Sequence, residues 1–238
     1  MQRLMSEMRA CIEHYKMLED GDKVCVGVSG GKDSVALLVA LAEMRRFLGA
    51  KYELFAVSIN MNFGGVPTDF SKISEICEKY EIPYVIKDTR IGEIIFDVRE
   101  ESSPCSLCSR MRKGALHDAA KEMGCNKIAL GHHLDDAVET FFMNILRGGT
   151  IGCFSPVTYL SRKDITMIRP MLYAKESDVV RAVNNFNLPI CKSTCPADGN
   201  TERQRVKELV QNLEKEYENL RNKVITALQK AEIDGWYK

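Results

Sequence analysis

Apolar positions along this chain alternate between short β-branched runs and longer stretches spaced three and four residues apart. Leu4, Met8, Cys11, Ile12, Tyr15 and Leu18 lie near one face of a helix that reaches about residue 20. Asp20-Gly21-Asp22 turns the chain. Val24-Cys25-Val26-Gly27-Val28 predicts a first strand. Val35, Leu37, Leu38 and Leu41 predict a helix to about Leu48, closed by Gly49. Tyr52 to Ile59 (YELFAVSI) is a second strand, and a loop runs from Asn60 to Pro67. A helix near Asp69 to Tyr80 precedes a third strand, Tyr84 to Ile86. This βαβαβ order predicts an α/β fold with a doubly wound parallel sheet and right-handed crossovers. Ligands then sit at the carboxyl ends of the strands.

The pattern is less regular from Thr89 to Ser103, which is mixed and acidic. Pro104-Cys105-Ser106-Leu107-Cys108 then leads into a basic helix carrying Leu116 and Ala119, ended by Gly124. Lys127 to Leu130 is a fourth strand. His132-His133-Leu134-Asp135-Asp136 opens another helix, stopped by Arg147-Gly148-Gly149. Thr166 to Arg169 is a short fifth strand, and a helix spans about Lys175 to Phe186. Glu202 to about Ile233 reads as a long charged helix, broken at most once. The expected division is an N-terminal helix (1–20), an α/β domain with an inserted CxxC segment (21–200) and a C-terminal helical segment (201–238).

Composition narrows the picture. The 238 residues suffice for one large α/β domain, and 33 basic against 33 acidic residues leave no net charge. Nucleic-acid binding therefore needs a local basic patch. No stretch approaches the ~18–20 apolar residues of a membrane span, and the first twenty residues lack a signal-peptide apolar block. A cytoplasmic location is expected, and the nine cysteines are expected as reduced thiols.

Between the first strand and its helix stands Ser29-Gly30-Gly31-Lys32-Asp33-Ser34. Strand, glycine turn and helix form a phosphate-binding layout, because glycines admit an anion to the backbone and the helix N-terminus holds it. Lys32 and the hydroxyls of Ser29 and Ser34 add charge and hydrogen bonds. The GxxxxGK[ST] and GxGxxG spacings are both absent. A plain strand-to-helix turn would also use glycine. In the second element, Asp135 and Asp136 suit a helix N-terminus through the dipole alone, worth ~0.3–1 kcal/mol each; they also suit a Mg²⁺ site near a triphosphate. Adjacent His132 and His133 point in different directions, which disfavours a shared metal.

The CxxC of Cys105 and Cys108 admits several chemistries: two core cysteines by chance, a redox pair, a zinc site completed by Cys191 and Cys195, or an iron–sulfur cluster with three ligands and one open iron.

The loop SGGKDS resembles the pyrophosphate loop of the N-type ATP pyrophosphatases, which adenylate a carbonyl oxygen so that a nucleophile can replace it. The GHHLDD stretch, with His132, Asp135 and Asp136 at the matching positions, resembles the GHxxDD element of lysidine synthetases and tRNA thiolases. Leu146-Arg147-Gly148 and Ile168-Arg169-Pro170-Met171-Leu172 resemble their LRG and IRPL segments. PCSLCSRMRKGAL resembles the PCSLCSRLRRG segment of the tRNA 2-thiocytidine synthetase family. The likeness runs from about residue 20 to 210.

The resemblance implies an adenine nucleotide alpha-hydrolase-like fold, with ATP and Mg²⁺ held by Ser29, Gly30, Gly31, Lys32, Asp33, Ser34, Asn60, His132, Asp135 and Arg147. Asp33, Lys32 and Asp136 are the implied catalytic residues. A 4Fe-4S cluster is implied on Cys105, Cys108 and Cys195, with Cys191 the alternative third ligand. The implied activity is replacement of a base oxygen by sulfur, most readily that of an anticodon-loop cytidine. The alternatives are a 2-thiouridine synthetase or a lysidine-synthetase-like ligase of the same fold. The implied partners are tRNA and a sulfur donor such as a cysteine desulfurase. Arg110, Arg112, Lys113 and Arg203 are candidate tRNA contacts, although each suits a solvated helix face equally. The terminal helices suit dimerisation or tRNA docking.

Overall fold

The computed structural model describes residues 1–98, 104–191, 195–196 and 202–238. The elements are α1 (Gln2–His14), β1 (Asp22–Gly27), α2 (Lys32–Met44), β2 (Tyr52–Asn60), α3 (Ser71–Lys79), β3 (Tyr84–Asp88), a single turn α4 (Ile91–Glu93), α5 (Pro104–Glu122), β4 (Lys127–Ala129), α6 (Leu134–Met143), β5 (Val157–Leu160), β6 (Ile165–Ile168), α7 (Glu176–Asn185), α8 (Glu202–Glu216) and α9 (Leu220–Lys230).

The sheet has the order β3-β2-β1-β4-β6-β5. Every pair is parallel except β5 with β6, which is antiparallel. The parallel core is as expected from the βαβαβ pattern. The edge strand β5 was not predicted, and the strand after it is the sixth. β5 has no fully buried residue, and its Tyr159 is exposed. A four-residue strand half in solvent carries little hydrophobic signal. It pairs through a tight turn that includes Asp164 at φ 50.

α2 explains why this architecture holds together. Ten of its thirteen residues are buried, from Ser34 to Met44. A helix apolar all round belongs inside a fold, and α2 lies under α1 and α7 while its N-terminus emerges from β1. α1 stops at His14, short of the predicted residue 20, but Tyr15, Met17 and Leu18 remain buried beyond it. The long C-terminal helix is broken, as the sequence allowed. α8 ends at Glu216, and Asn219 takes a left-handed φ of 59 before α9 begins. Asn accepts that conformation more readily than most residues. The chain beyond α9 folds back, and Trp236 is fully buried with its indole N–H donating to the Phe154 carbonyl at 3.0 Å.

Sheet order reverses between β1 and β4. The Ser29–Ser34 loop leaves β1 and the His132–Asp136 stretch leaves β4, so the two motifs flank the crevice that opens at such a reversal. No helix of the described residues is long and apolar enough to cross a membrane.

Candidate active site

The glycine loop is braced by its own hydroxyls. The Ser34 hydroxyl donates to the Gly31 carbonyl at 2.9 Å and accepts from the Ser29 backbone N–H at 3.1 Å. Gly30 has φ +83, and a Cβ placed there would lie 2.7 Å from the Cβ of Cys191. Only glycine satisfies both conditions. The Cys191 N–H donates to the Gly30 carbonyl at 2.9 Å, which ties Cys191 to the loop.

Lys32 opens α2 and is spanned by acids. Its Nζ lies 3.0 Å from Asp33 Oδ2 and 3.1 Å from Glu176 Oε1. Burial works against its charge, but Asp33 and Glu176 outweigh burial and raise its pKa. Glu176 also accepts from Lys207 of α8 at 2.7 Å. Burial opposes its charge too, yet Lys207 and Lys32 hold the carboxyl down at about 2.

The second element is a helix cap as well as a candidate site. His133 Nδ1 accepts the Asp136 N–H at 3.4 Å, and Asp136 Oδ2 accepts the His133 N–H at 2.9 Å. This is a capping box with histidine in the place of serine. Because Nδ1 accepts, the ring proton sits on Nε2, which faces Asp136 Oδ2 at 3.5 Å and Asp33 Oδ1 at 3.7 Å. Asp33 Oδ1 is buried with no hydrogen-bond partner. A buried carboxylate oxygen left open beside a second acid is the donor chemistry a hard divalent cation takes.

Asp136 and Asp135 each have a cation from the C-terminal helices. Arg203 of α8 reaches Asp136 Oδ1 at 2.9 Å. Arg221 of α9 reaches Asp135 Oδ1 at 2.7 Å, while Asp135 Oδ2 accepts the Glu176 N–H at 2.7 Å and so caps α7. Glu139, one turn along α6, is buried, and burial, reinforced by nearby Asp136, raises its pKa to about 7.

The sequence-predicted residues thus do not all fall in one place. Ser29 to Ser34, Asp135 and Asp136 converge on the crevice. Asn60 is buried at the end of β2, donating to Asp88 at 2.8 Å and accepting from the Thr68 N–H at 3.2 Å, which shapes the loop beyond it. His132 packs on Phe154 with ring centroids 4.9 Å apart, and Arg147 pairs with Glu202 of α8. Arg203, expected as a tRNA contact, is placed against Asp136. Arg110, Arg112 and Lys113 are exposed on α5. The sequence reading missed Glu176 and Arg221, and weighed His133 only as one of a pair of metal-binding histidines. His133 could have been read from the cap position, but no spacing links Arg221 to Asp135 across 86 residues.

Cys105 and Cys108 stand in the first turns of α5, Cys105 exposed and Cys108 half-buried. Leu107, Cys108 and Met111 pack against Ile91 and Ile95. Burial raises the Cys108 thiol; Arg112 opposes this, and the neighbouring Cys195 and Cys105 add to it. Three thiols from two distant segments therefore meet within electrostatic reach. Among the described residues, no three His, Cys, Asp or Glu side chains close round a single metal ion. Three thiols gathered in this way suit the soft irons of a cluster.

A glycine loop at the carboxyl end of the first strand, facing an acid pair across the sheet reversal, defines a PP-loop nucleotide-binding protein, and residues 3–214 match a model of the PP-loop domain. The chain is 40% identical over 220 residues to the tRNA-cytidine(32) 2-sulfurtransferase of Syntrophotalea carbinolica, covering 91% of this chain and 84% of that protein. It is 37% identical over 217 residues to the tRNA-cytidine(32) 2-sulfurtransferase of Dechloromonas aromatica, covering 90% and 75%. The chain belongs to the tRNA-cytidine(32) 2-sulfurtransferase family of PP-loop proteins. In fold it is similar to the U34-tRNA thiolase NcsA from Methanococcus maripaludis, whose structure holds a 4Fe-4S cluster, with a TM-score of 0.78 at 24% identity over 96% of this chain and 78% of that one.

Proposed function

We propose that this chain is an ATP-dependent tRNA 2-sulfurtransferase that adenylates the C2 carbonyl oxygen of a tRNA cytidine and replaces that oxygen with sulfur, releasing AMP and pyrophosphate. One observation carries the reading. Cys195 stands within electrostatic reach of Cys108, beside a segment whose Cys191 is hydrogen-bonded to Gly30 of the nucleotide loop. ATP chemistry and thiol chemistry therefore share one crevice.

In this reading the N–H groups of the Gly30–Ser34 loop and the ammonium of Lys32 take up the negative charge that grows on the leaving pyrophosphate. Glu176 aims Lys32 by holding its Nζ at 3.1 Å. Asp33 and Asp136 would hold Mg²⁺, with His133 fixing their spacing. Adenylation turns a poor oxide leaving group into AMP. Cys105, Cys108 and Cys195 would hold a 4Fe-4S cluster, which supplies an open iron able to carry sulfide to the activated carbon. Exposed Arg110 and Arg112 beside the cysteines suit the backbone of a splayed-out RNA loop. The sulfur donor is a persulfide-forming enzyme such as a cysteine desulfurase, and the location is the cytoplasm.

The test is anaerobic purification with iron, sulfide and zinc analysis of the native chain, Cys195→Ala and Cys191→Ala. About four irons per chain, lost in Cys195→Ala and kept in Cys191→Ala, is the expected result. Stoichiometric zinc without iron would overturn the cluster.

A further inference from the structure

The charges at the end of β6 do not balance. Arg169, the first residue after that strand, is 5% exposed and is the only buried cation among the described residues. One terminal nitrogen donates to the Ser155 carbonyl and lies 3.3 Å from the Thr158 hydroxyl. The guanidinium carbon sits 5.0 Å from the centre of the Phe154 ring. Its Nε is buried with no hydrogen-bond partner. Among the described residues the one potential anion that bears on it is the Cys153 thiol, which burial pushes up to about 12 and so keeps neutral. A guanidinium withdrawn from water without a counter-charge is costly, and folded proteins pair such groups or use them on a ligand.

A second open nitrogen lies close by. His132 meets the same Phe154 ring, and its Nδ1 is also buried without a partner. Burial first, and the charge of Arg169 next, lower the His132 pKa to about 3, so the imidazole is neutral and free to present either tautomer. Lys113, on the exposed face of α5, lies within electrostatic reach: partial desolvation, and then Arg169, Arg112 and Arg203, lower its pKa. Arg203 is already neutralised by Asp136. What remains is a surplus of positive charge and two unfilled nitrogens around an aromatic wall.

We propose that Arg169 and His132 form a phosphoryl-binding pocket, with Lys113 within electrostatic reach of it, that takes a phosphodiester of the RNA next to the target nucleotide. This rests on the tRNA reading above. The ligand class follows from the donors: a guanidinium fork, a neutral imidazole N–H and an ammonium together suit a phosphate oxygen cluster. The RNA assignment follows from position. The nucleotide loop leaves β1, whereas Arg169 leaves β6 on the far side of β4, and Lys113 lies five residues beyond Cys108. The Phe154 face excludes water from one side and so strengthens each contact.

The experiment uses the full chain, anaerobically prepared. Unmodified labelled tRNA is titrated by fluorescence anisotropy over a salt series, and a non-hydrolysable ATP analogue is titrated by calorimetry. The variants are Arg169→Gln, His132→Asn and Lys113→Gln. The last two alter partly exposed or exposed side chains, so they decide the matter even where Arg169→Gln does not fold. The expected result is a loss of tRNA affinity of about tenfold in Arg169→Gln and several-fold in Lys113→Gln, with the log–log salt slope shallower by about 0.7–0.9 per lost contact. Affinity for the ATP analogue is expected to hold in Arg169→Gln and Lys113→Gln. A loss confined to the ATP analogue would move the pocket to the nucleotide and overturn the RNA assignment. Folded variants unchanged in both titrations would overturn the pocket itself. Wild-type chain that binds no tRNA would instead overturn the sulfurtransferase reading, and that outcome is seen without any variant.

Discussion

The two halves of the crevice are built on opposite principles. On the nucleotide side, each acid faces a charged or proton-bearing group: Asp33 with Lys32, Glu176 with Lys32 and Lys207, Asp135 with Arg221, Asp136 with Arg203. That side is rigid through its own contacts. On the cysteine side like groups gather, and Cys195 and Cys105 add to the burial that raises the Cys108 thiol. A site of that kind gains from an added cation, whereas the nucleotide side is complete in protein atoms apart from Asp33 Oδ1. The nucleotide half should therefore fold and bind ATP without the cysteine half.

The largest effect that sharpens this contrast is at Lys32. Lys32→Ala should lower pyrophosphate release by about 10²–10³-fold, the usual loss for one preorganised charge, while iron content stays at the native level. Loss of iron as well would break the separation of the halves.

Next in size is Asp135→Ala. It removes both the Arg221 pair and the α7 cap, leaving a largely buried guanidinium with only Glu214. The cost should be about 3 kcal/mol, a fall in Tm of about 6–12 °C for a chain of this size, measured by calorimetric melting.

The pH dependence is of similar magnitude. Glu139 has its carboxyl raised from 4.5 to about 7. Between those values the folded chain holds a proton that the unfolded chain has released, so stability falls as pH rises through the window. Urea titrations from pH 4 to 8 should show wild type losing up to about 3 kcal/mol relative to Glu139→Gln. Glu176 acts with the opposite sign: its carboxyl is held at about 2, so its contribution is full above about pH 4.5 and is lost as pH falls towards 2.

The smallest expected effect is the most direct test of independence. Cys105→Ser lies on an exposed side chain at the start of α5. It should leave ATP-analogue affinity within about twofold and stability within about 0.5 kcal/mol, as surface changes usually do. A marked loss of nucleotide affinity would show that the halves are coupled through the Cys191–Gly30 tie.

The order of elements, the parallel core and both nucleotide motifs were legible in the chain, because each rests on local chemistry. Val24 to Val28 alternates into no solvent face, Gly30 needs a positive φ, and α2 is apolar all round. A break in the C-terminal helix was allowed for, but its place at Asn219 was not read. β5 was not legible, since four half-exposed residues gain their strand character only from pairing with β6. The site was legible where its residues are neighbours in sequence, as in Lys32-Asp33 and Asp135-Asp136. It was not legible in their partners.

What the sequence by itself determined is therefore which groups do chemistry: the loop, the acid pair and the cysteines, whose types and spacing have few other uses together. Only the tertiary structure decided what each of them faces. Arg203 meets Asp136 from 67 residues away and Arg221 meets Asp135 from 86, while Arg169 is buried with its Nε unmet. Partner choice across such separations depends on how α8 and α9 pack over the crevice, and helix periodicity records only that each helix has a face to bury.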